Sequence, residues 1–136
     1  MERSASQSLR LVRHTVQKEN EMQYMILNYV PAAKADGASA PGSHADMHAW
    51  SAYTKAMLDA GVMRGGNALE PGVTATTVRL RDGRRDVHDG PYADSKDELG
   101  GYYIIEVPDL DAALQWAARN PAAAYGAVEV RPIMVM

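Results

Sequence analysis

Five polar side chains stand where the local pattern gives them a direction: Asp89, Lys96, Tyr102, Glu129 and Arg131. Asp89 opens an Asp-Gly-Pro turn, so its carboxylate is placed either to take a proton from a bound molecule or to accept the backbone N–H groups of the turn itself. Lys96 lies among Asp94, Asp97 and Glu98. It reads either as an exposed, paired ammonium or as a cation at a pocket mouth that neutralises an anion. Glu129 and Arg131 alternate with Val128 and Val130, which puts the ionic residues on one strand face and the valines on the other. That pair is either a salt bridge, within the strand or between subunits, or a pocket wall in which Arg131 grips a carboxylate or other anion and Glu129 positions it. Tyr102 and Tyr103 point to opposite faces, one into a core and one offering a phenolic hydroxyl, and Gly100-Gly101 leaves room for a ligand or a close backbone approach. The chemistry open to such a set is proton transfer without a cofactor, of lyase or isomerase type. Asp89 would be the catalytic base, and Lys96, Tyr102, Glu129 and Arg131 the ligand-binding groups.

The histidines offer less. His44 and His48 are one helical turn apart, a spacing that suits two metal ligands, but neither a third ligand nor an adjacent glutamate accompanies them. His88 adjoins Asp89, and strand alternation sends the two side chains to opposite faces. No nucleotide loop, nucleophile elbow or kinase signature is present, and Arg64-Gly-Gly-Asn lacks the strand-to-helix setting of a phosphate loop. Neither a metal nor a cofactor is expected.

Composition narrows the class further. A chain of 136 residues forms one domain with a real core. A net charge of −3 and a pI near 5.7 provide no basic field for nucleic acid. The absence of cysteine excludes disulfides and thiolate chemistry, and no apolar run reaches the roughly 20 residues that span a bilayer. A cytoplasmic location is the resulting expectation. The 8 methionines read as flexible core filling in a chain without phenylalanine. Residues 1–21 read as an N-terminal extension ahead of a domain over 22–136, either an arm or the product of an upstream start. Glu2, Glu19 and Glu21 argue against an organellar transit peptide.

The elements that must position these groups follow from periodicity. MQYMILNYV is apolar on both alternating faces and predicts a strand covered on both sides. Ser43 and Asp46 have capping-box spacing before a helix that reaches about Ala60, with Met47, Trp50, Met57 and Leu58 toward the sheet. Val62 to Leu69 predicts a short strand. Thr74–Arg81 and Arg84–His88 flank Asp82-Gly83, the signal for a type I′ hairpin. Leu99 to Val107 predicts the next strand, and Asp109 caps a helix with Leu110, Ala113, Leu114 and Ala117 on one face. Ala127 to Ile133 closes the sheet. The two helices suffice for one sheet face, so an apolar second face calls for a second subunit.

The run DGPYADSKDELGGYYIIEV resembles the DGPF family within the YCII-related group, with Tyr92 where the family motif has phenylalanine. The likeness continues through DAGVMRGGNALEP, TATTVRLRDGRRDVHDGPY, GGYYIIEVPDLDAALQWAARNPAA and YGAVEVRPI, in family order from Met22 onward. It implies a ferredoxin-like α+β fold paired as a dimeric α+β barrel, a homodimer with no settled family activity. Some relatives are thought to place a histidine and an aspartate in a pocket for a small-molecule ligand, which makes His44 with Asp89 an alternative pair without assigning the family's roles to those two positions. Association of such proteins with extracytoplasmic-function sigma factors implies the alternative role, an accessory or regulatory protein without direct DNA contact.

Overall fold

The computed structural model of the protein describes residues 21–32, 47–93 and 95–136. In chain order the elements are β1 (Met22–Pro31), α1 (Met47–Asp59), β2 (Met63–Ala68), a 3-10 turn (Gly72–Thr74), β3 (Thr76–Arg81), β4 (Arg84–Asp89), β5 (Asp97–Val107), α2 (Leu110–Ala118), α3 (Ala122–Tyr125) and β6 (Ala127–Pro132). Four strands make an antiparallel sheet in the order β2-β5-β1-β6. This α+β arrangement is consistent with a ferredoxin-like fold. The strands β3 and β4 form a separate two-stranded ribbon inserted between β2 and β5. Ser43, His44, Asp46 and Asp94 lie outside the described residues, and with them the expected capping box and the His44–Asp89 pair.

Alternation sorts the sheet into two chemically different sides. Tyr24, Ile26, Ile105 and Val107 are buried with Tyr53, Met57 and Ala113, while Val128, Val130 and Tyr103 pack around them. These residues face the helices. Met25, Leu27, Tyr29, Tyr102 and Ile104 are only half-buried and belong to the opposite side, which no described element covers.

The helices meet the sheet along narrower lines than the sequence pattern predicts. On α1, Met57 is buried as expected, and Tyr53 one turn earlier joins it; Met47 and Leu58 are 64% and 60% exposed. The Tyr53 ring fixes this rotation. It meets Tyr103 and Trp116 edge-on at centroid distances of 5.4 and 6.4 Å, and its hydroxyl donates to the Trp116 carbonyl at 2.8 Å. On α2, Asp109 caps the helix as expected by accepting from the Ala112 N–H at 2.9 Å. The buried side is Ala113 and Ala117 with Trp116 beside them, whereas Leu110 and Leu114 are 49% and 47% exposed. Alanines bring the helix axis close to the sheet, and the leucines flank that contact.

Burial pushes the Tyr53 phenol up from 10.0 to about 12, and the nearby Asn120 amide and Arg119 guanidinium oppose that rise without cancelling it. The folded state therefore holds this proton after the unfolded chain has begun to lose it. The resulting stability is complete below pH 10 and is lost as pH rises toward about 12, roughly 2 kcal/mol in all. Urea unfolding followed from about pH 9 to about pH 11 is expected to show a steeper alkaline loss in the parent protein than in Tyr53→Phe. Equal slopes would remove Tyr53 as the cause.

The ribbon turn has the geometry that Asp-Gly predicts. Asp82 and Gly83 have φ of 51° and 75°, the paired left-handed conformations of a type I′ turn. The base of the ribbon is fixed by bonds from Gly90 N–H to the Ala75 carbonyl at 2.7 Å and from Thr77 Oγ1 to the Gly90 carbonyl at 2.8 Å.

Candidate functional site

Strand register builds the uncovered side into a patch with an apolar centre and polar margins. Asn67, Tyr102, Leu27 and Glu129 are successive partners across β2, β5, β1 and β6; Gly65, Ile104, Met25 and Arg131 form the next row. Tyr102 and Glu129 stand two strands apart, about 10 Å, with Leu27 between them. That span suits a small molecule lying across β1.

Each margin is internally bonded. Asn67 Nδ2 donates to the Tyr102 hydroxyl at 3.0 Å, which leaves the phenolic O–H free to donate outward. Arg131 Nε donates to Glu129 Oε2 at 2.9 Å, and a second Arg131 nitrogen reaches the same oxygen. Glu129 thus holds the guanidinium flat while its remaining N–H groups stay available to an anion. With side-chain exposures of 70% for Arg131 and 40% for Glu129, the pair contributes little to stability. The salt bridge and the pocket wall of the sequence reading are therefore compatible roles for the same pair. Tyr103 is the core tyrosine: its hydroxyl shares a 2.9 Å hydrogen bond with Thr54 Oγ1.

A third polar group escaped the sequence reading. Arg64 donates to Glu106 Oε2 at 3.2 Å, and Gln23 Nε2 lies 3.5 Å from Glu106 Oε1. Counting by twos from Tyr102 through Ile104 reaches Glu106, so alternation alone could have placed it beside the patch. Nothing local marks its partners, because Gln23 and Arg64 arrive from β1 and β2 through pairing with distant strands.

Asp89 and Lys96 stand apart from these rows. Asp89 is the exposed last residue of β4, on the ribbon rather than on an edge of the four-stranded sheet, and it pairs with Thr76. Its carboxylate makes no hydrogen bond or ion pair among the described residues. The turn is instead held by Gly90 and Thr77. Lys96 is exposed just before β5; its carbonyl accepts from Ala32 N–H at 2.9 Å, and its ammonium pairs with neither Asp97 nor Glu98. Glu98 is otherwise engaged, because both its oxygens lie 3.1 Å from the Gly72 N–H. No hydrogen bond or ion pair links Asp89 or Lys96 to Tyr102, Glu129 or Arg131 in one chain.

The YCII-related domain matches residues 22–136, the span that carries all six described strands and every residue of the patch. The chain belongs to the YCII-related family. It is 32% identical over 114 residues to an uncharacterised protein of Rhizobium meliloti (strain 1021), covering 82% of this chain and 92% of that relative. The YCII-related likeness thus extends through the ribbon and through both helices that follow it in the chain. No helix among the described residues is long and apolar enough to cross a membrane.

Proposed function

We propose that this YCII-related protein is a homodimer that closes the uncovered side of its sheet against a second copy, forming a dimeric α+β barrel. The seam holds a small polar or anionic ligand. Arg131 grips its negative group, Glu129 orients Arg131, and the Tyr102 hydroxyl donates to a second polar atom across Leu27. Asp89 is the candidate base for acid–base chemistry of lyase or isomerase type, and Lys96 supplies charge at the mouth. The observation that carries this reading is the row Asn67–Tyr102–Leu27–Glu129 with Arg131 beside it, an apolar floor between two hydrogen-bonding margins on a side that no described element covers. Closure would remove water from this floor and strengthen each polar contact to the ligand.

Sedimentation of the full chain at micromolar concentration is expected to show a dimer, and Leu27→Lys is expected to dissociate it, because an unpaired ammonium would be buried at the seam. Thermal-shift and native mass-spectrometric screening with small carboxylates and phosphates then addresses the ligand. Arg131→Ala is expected to weaken anion binding about tenfold to a hundredfold, the loss of one charge-assisted contact. A chain that remains monomeric under these conditions refutes the seam. A dimer that takes no anion but recovers a sigma factor in a pull-down assigns the protein to regulation instead. Asp89→Asn with intact binding and lost turnover would place the chemistry at Asp89.

A further inference from the structure

Register divides the ribbon into two unlike faces. Thr77, Arg79, Arg81, Arg84, Asp86 and His88 share one, which is polar throughout. Thr76 and Asp89, then Val78 and Val87, then Leu80 and Arg85 make up the other from base to tip. Its aliphatic side chains lie open: Val78 is 55%, Val87 51% and Leu80 74% exposed. A lone two-stranded hairpin is marginally stable in water, and among the described residues neither β3 nor β4 packs appreciably on the sheet or the helices. Yet the ribbon is aimed, since its base is bonded through Gly90 and Thr77 and the preceding 3-10 turn is held by Glu98. The ribbon is thus directed, and its apolar face is open among the described residues.

The protein carries a surface of matching pattern along its β6 edge. The Arg131 side chain is 70% exposed. Beyond it the Ile133 N–H bond to the Gln23 carbonyl at 2.9 Å carries strand pairing one residue past β6, and Ile133, two positions from Arg131, falls on the same face. From Arg131 to Ile133 is two residues, about 7 Å of paired strand, the same length that separates the Asp89 and Val87 levels of the ribbon. Arg131 followed by Ile133 thus matches Asp89 followed by the Val78–Val87 pair at equal spacing.

We propose that the ribbon is a dimerisation arm: its Val78, Val87 and Leu80 face lies along the β6 edge of a second copy, and Asp89 comes to the crevice beside the partner's Arg131 without displacing the ligand from it. The inference rests on the dimer proposed above and deepens it. Each ligand crevice then takes Tyr102, Glu129 and Arg131 from one chain and Asp89 from the other, which accounts for their separation within one chain. A single subunit holds an incomplete site.

The native chain has 0 cysteines, which permits a direct test. Val87→Cys and Ile133→Cys chains are mixed, oxidised mildly and mapped by mass spectrometry. The expected result is a disulfide between positions 87 and 133 that forms at least about tenfold faster than one in a control mixture of Val87→Cys with Leu58→Cys, because a disulfide needs Cα atoms within about 7 Å. Leu80→Lys, at a position already exposed in the single chain, is expected to raise the dimer dissociation constant at least about tenfold. A dimeric parent protein with no preferential cross-link and an unchanged Leu80→Lys dissociation constant overturns the arm and leaves the sheet-to-sheet dimer standing. A monomeric parent protein overturns both.

Discussion

Gly126→Ala is expected to destabilise the fold by about 3 kcal/mol or more, because the added methyl would fall on the Tyr29 carbonyl oxygen. The same methyl would lie 3.0 Å from the Tyr29 carbonyl carbon and 3.2 Å from the Val30 Cα. All three neighbours are backbone, so no side-chain rotation relieves the overlap. Gly126 is the last link before β6, and Ala127 pairs with Tyr29 in the first rung of that strand. Relief requires β6 to move away from β1, taking Glu129 and Arg131 out of line with Leu27 and Tyr102. Urea unfolding checks the stability, and anion binding checks the alignment. Gly65→Ala is the control: its methyl would meet only Ile104 Cδ1 at 3.9 Å, and a change within about 0.5 kcal/mol is expected. If both variants unfold with the parent protein, the contact between Gly126 and Tyr29 is not tight.

The second large effect is expected at Asn120, which is 2% exposed and ties the connection between α2 and α3 to β1. Its Nδ2 donates to Asn28 Oδ1 at 2.7 Å, and its Oδ1 accepts the Ala122 N–H at 2.8 Å. Asn28 is itself 5% exposed. Asn120→Ala leaves a buried acceptor and a buried donor without partners at about 1–3 kcal/mol each, so a loss of about 2–5 kcal/mol is expected by denaturant unfolding. Asn28→Leu in the Asn120→Ala background removes one orphaned acceptor and is expected to return part of that loss. A parent-like Asn120→Ala would mean that water or local movement satisfies both groups.

Much of the architecture was legible because it depends on short-range rules. The φ values of Asp82 and Gly83 are those that an Asp-Gly hairpin demands, and Asp109 caps the helix that it precedes. The alternation of Val128–Glu129–Val130–Arg131 sorted core from patch correctly, since period two survives any change in what lies above the sheet. The helix faces were less legible. Met47, Leu58, Leu110 and Leu114 fit a helical stripe, but Tyr53 and Trp116 rotate the contact toward themselves by interlocking with Tyr103. Aromatic rings facing across three elements outweigh the mean direction of hydrophobicity on one.

The candidate site divides along the same line. Sequence by itself determined the family, the strand identities and the alternation that sets Tyr102 opposite Tyr103 and puts Glu129 with Arg131, because each depends on residues a few positions apart. Only the tertiary structure decided that Glu129 orients Arg131, that Asn67 supports Tyr102, and that Glu106 gathers Arg64 and Gln23 beside them. It also decided that the ribbon leaves the main sheet, carrying Asp89 away from the other candidates. Strand order and register join residues far apart in the chain, and no local pattern encodes which strands will meet.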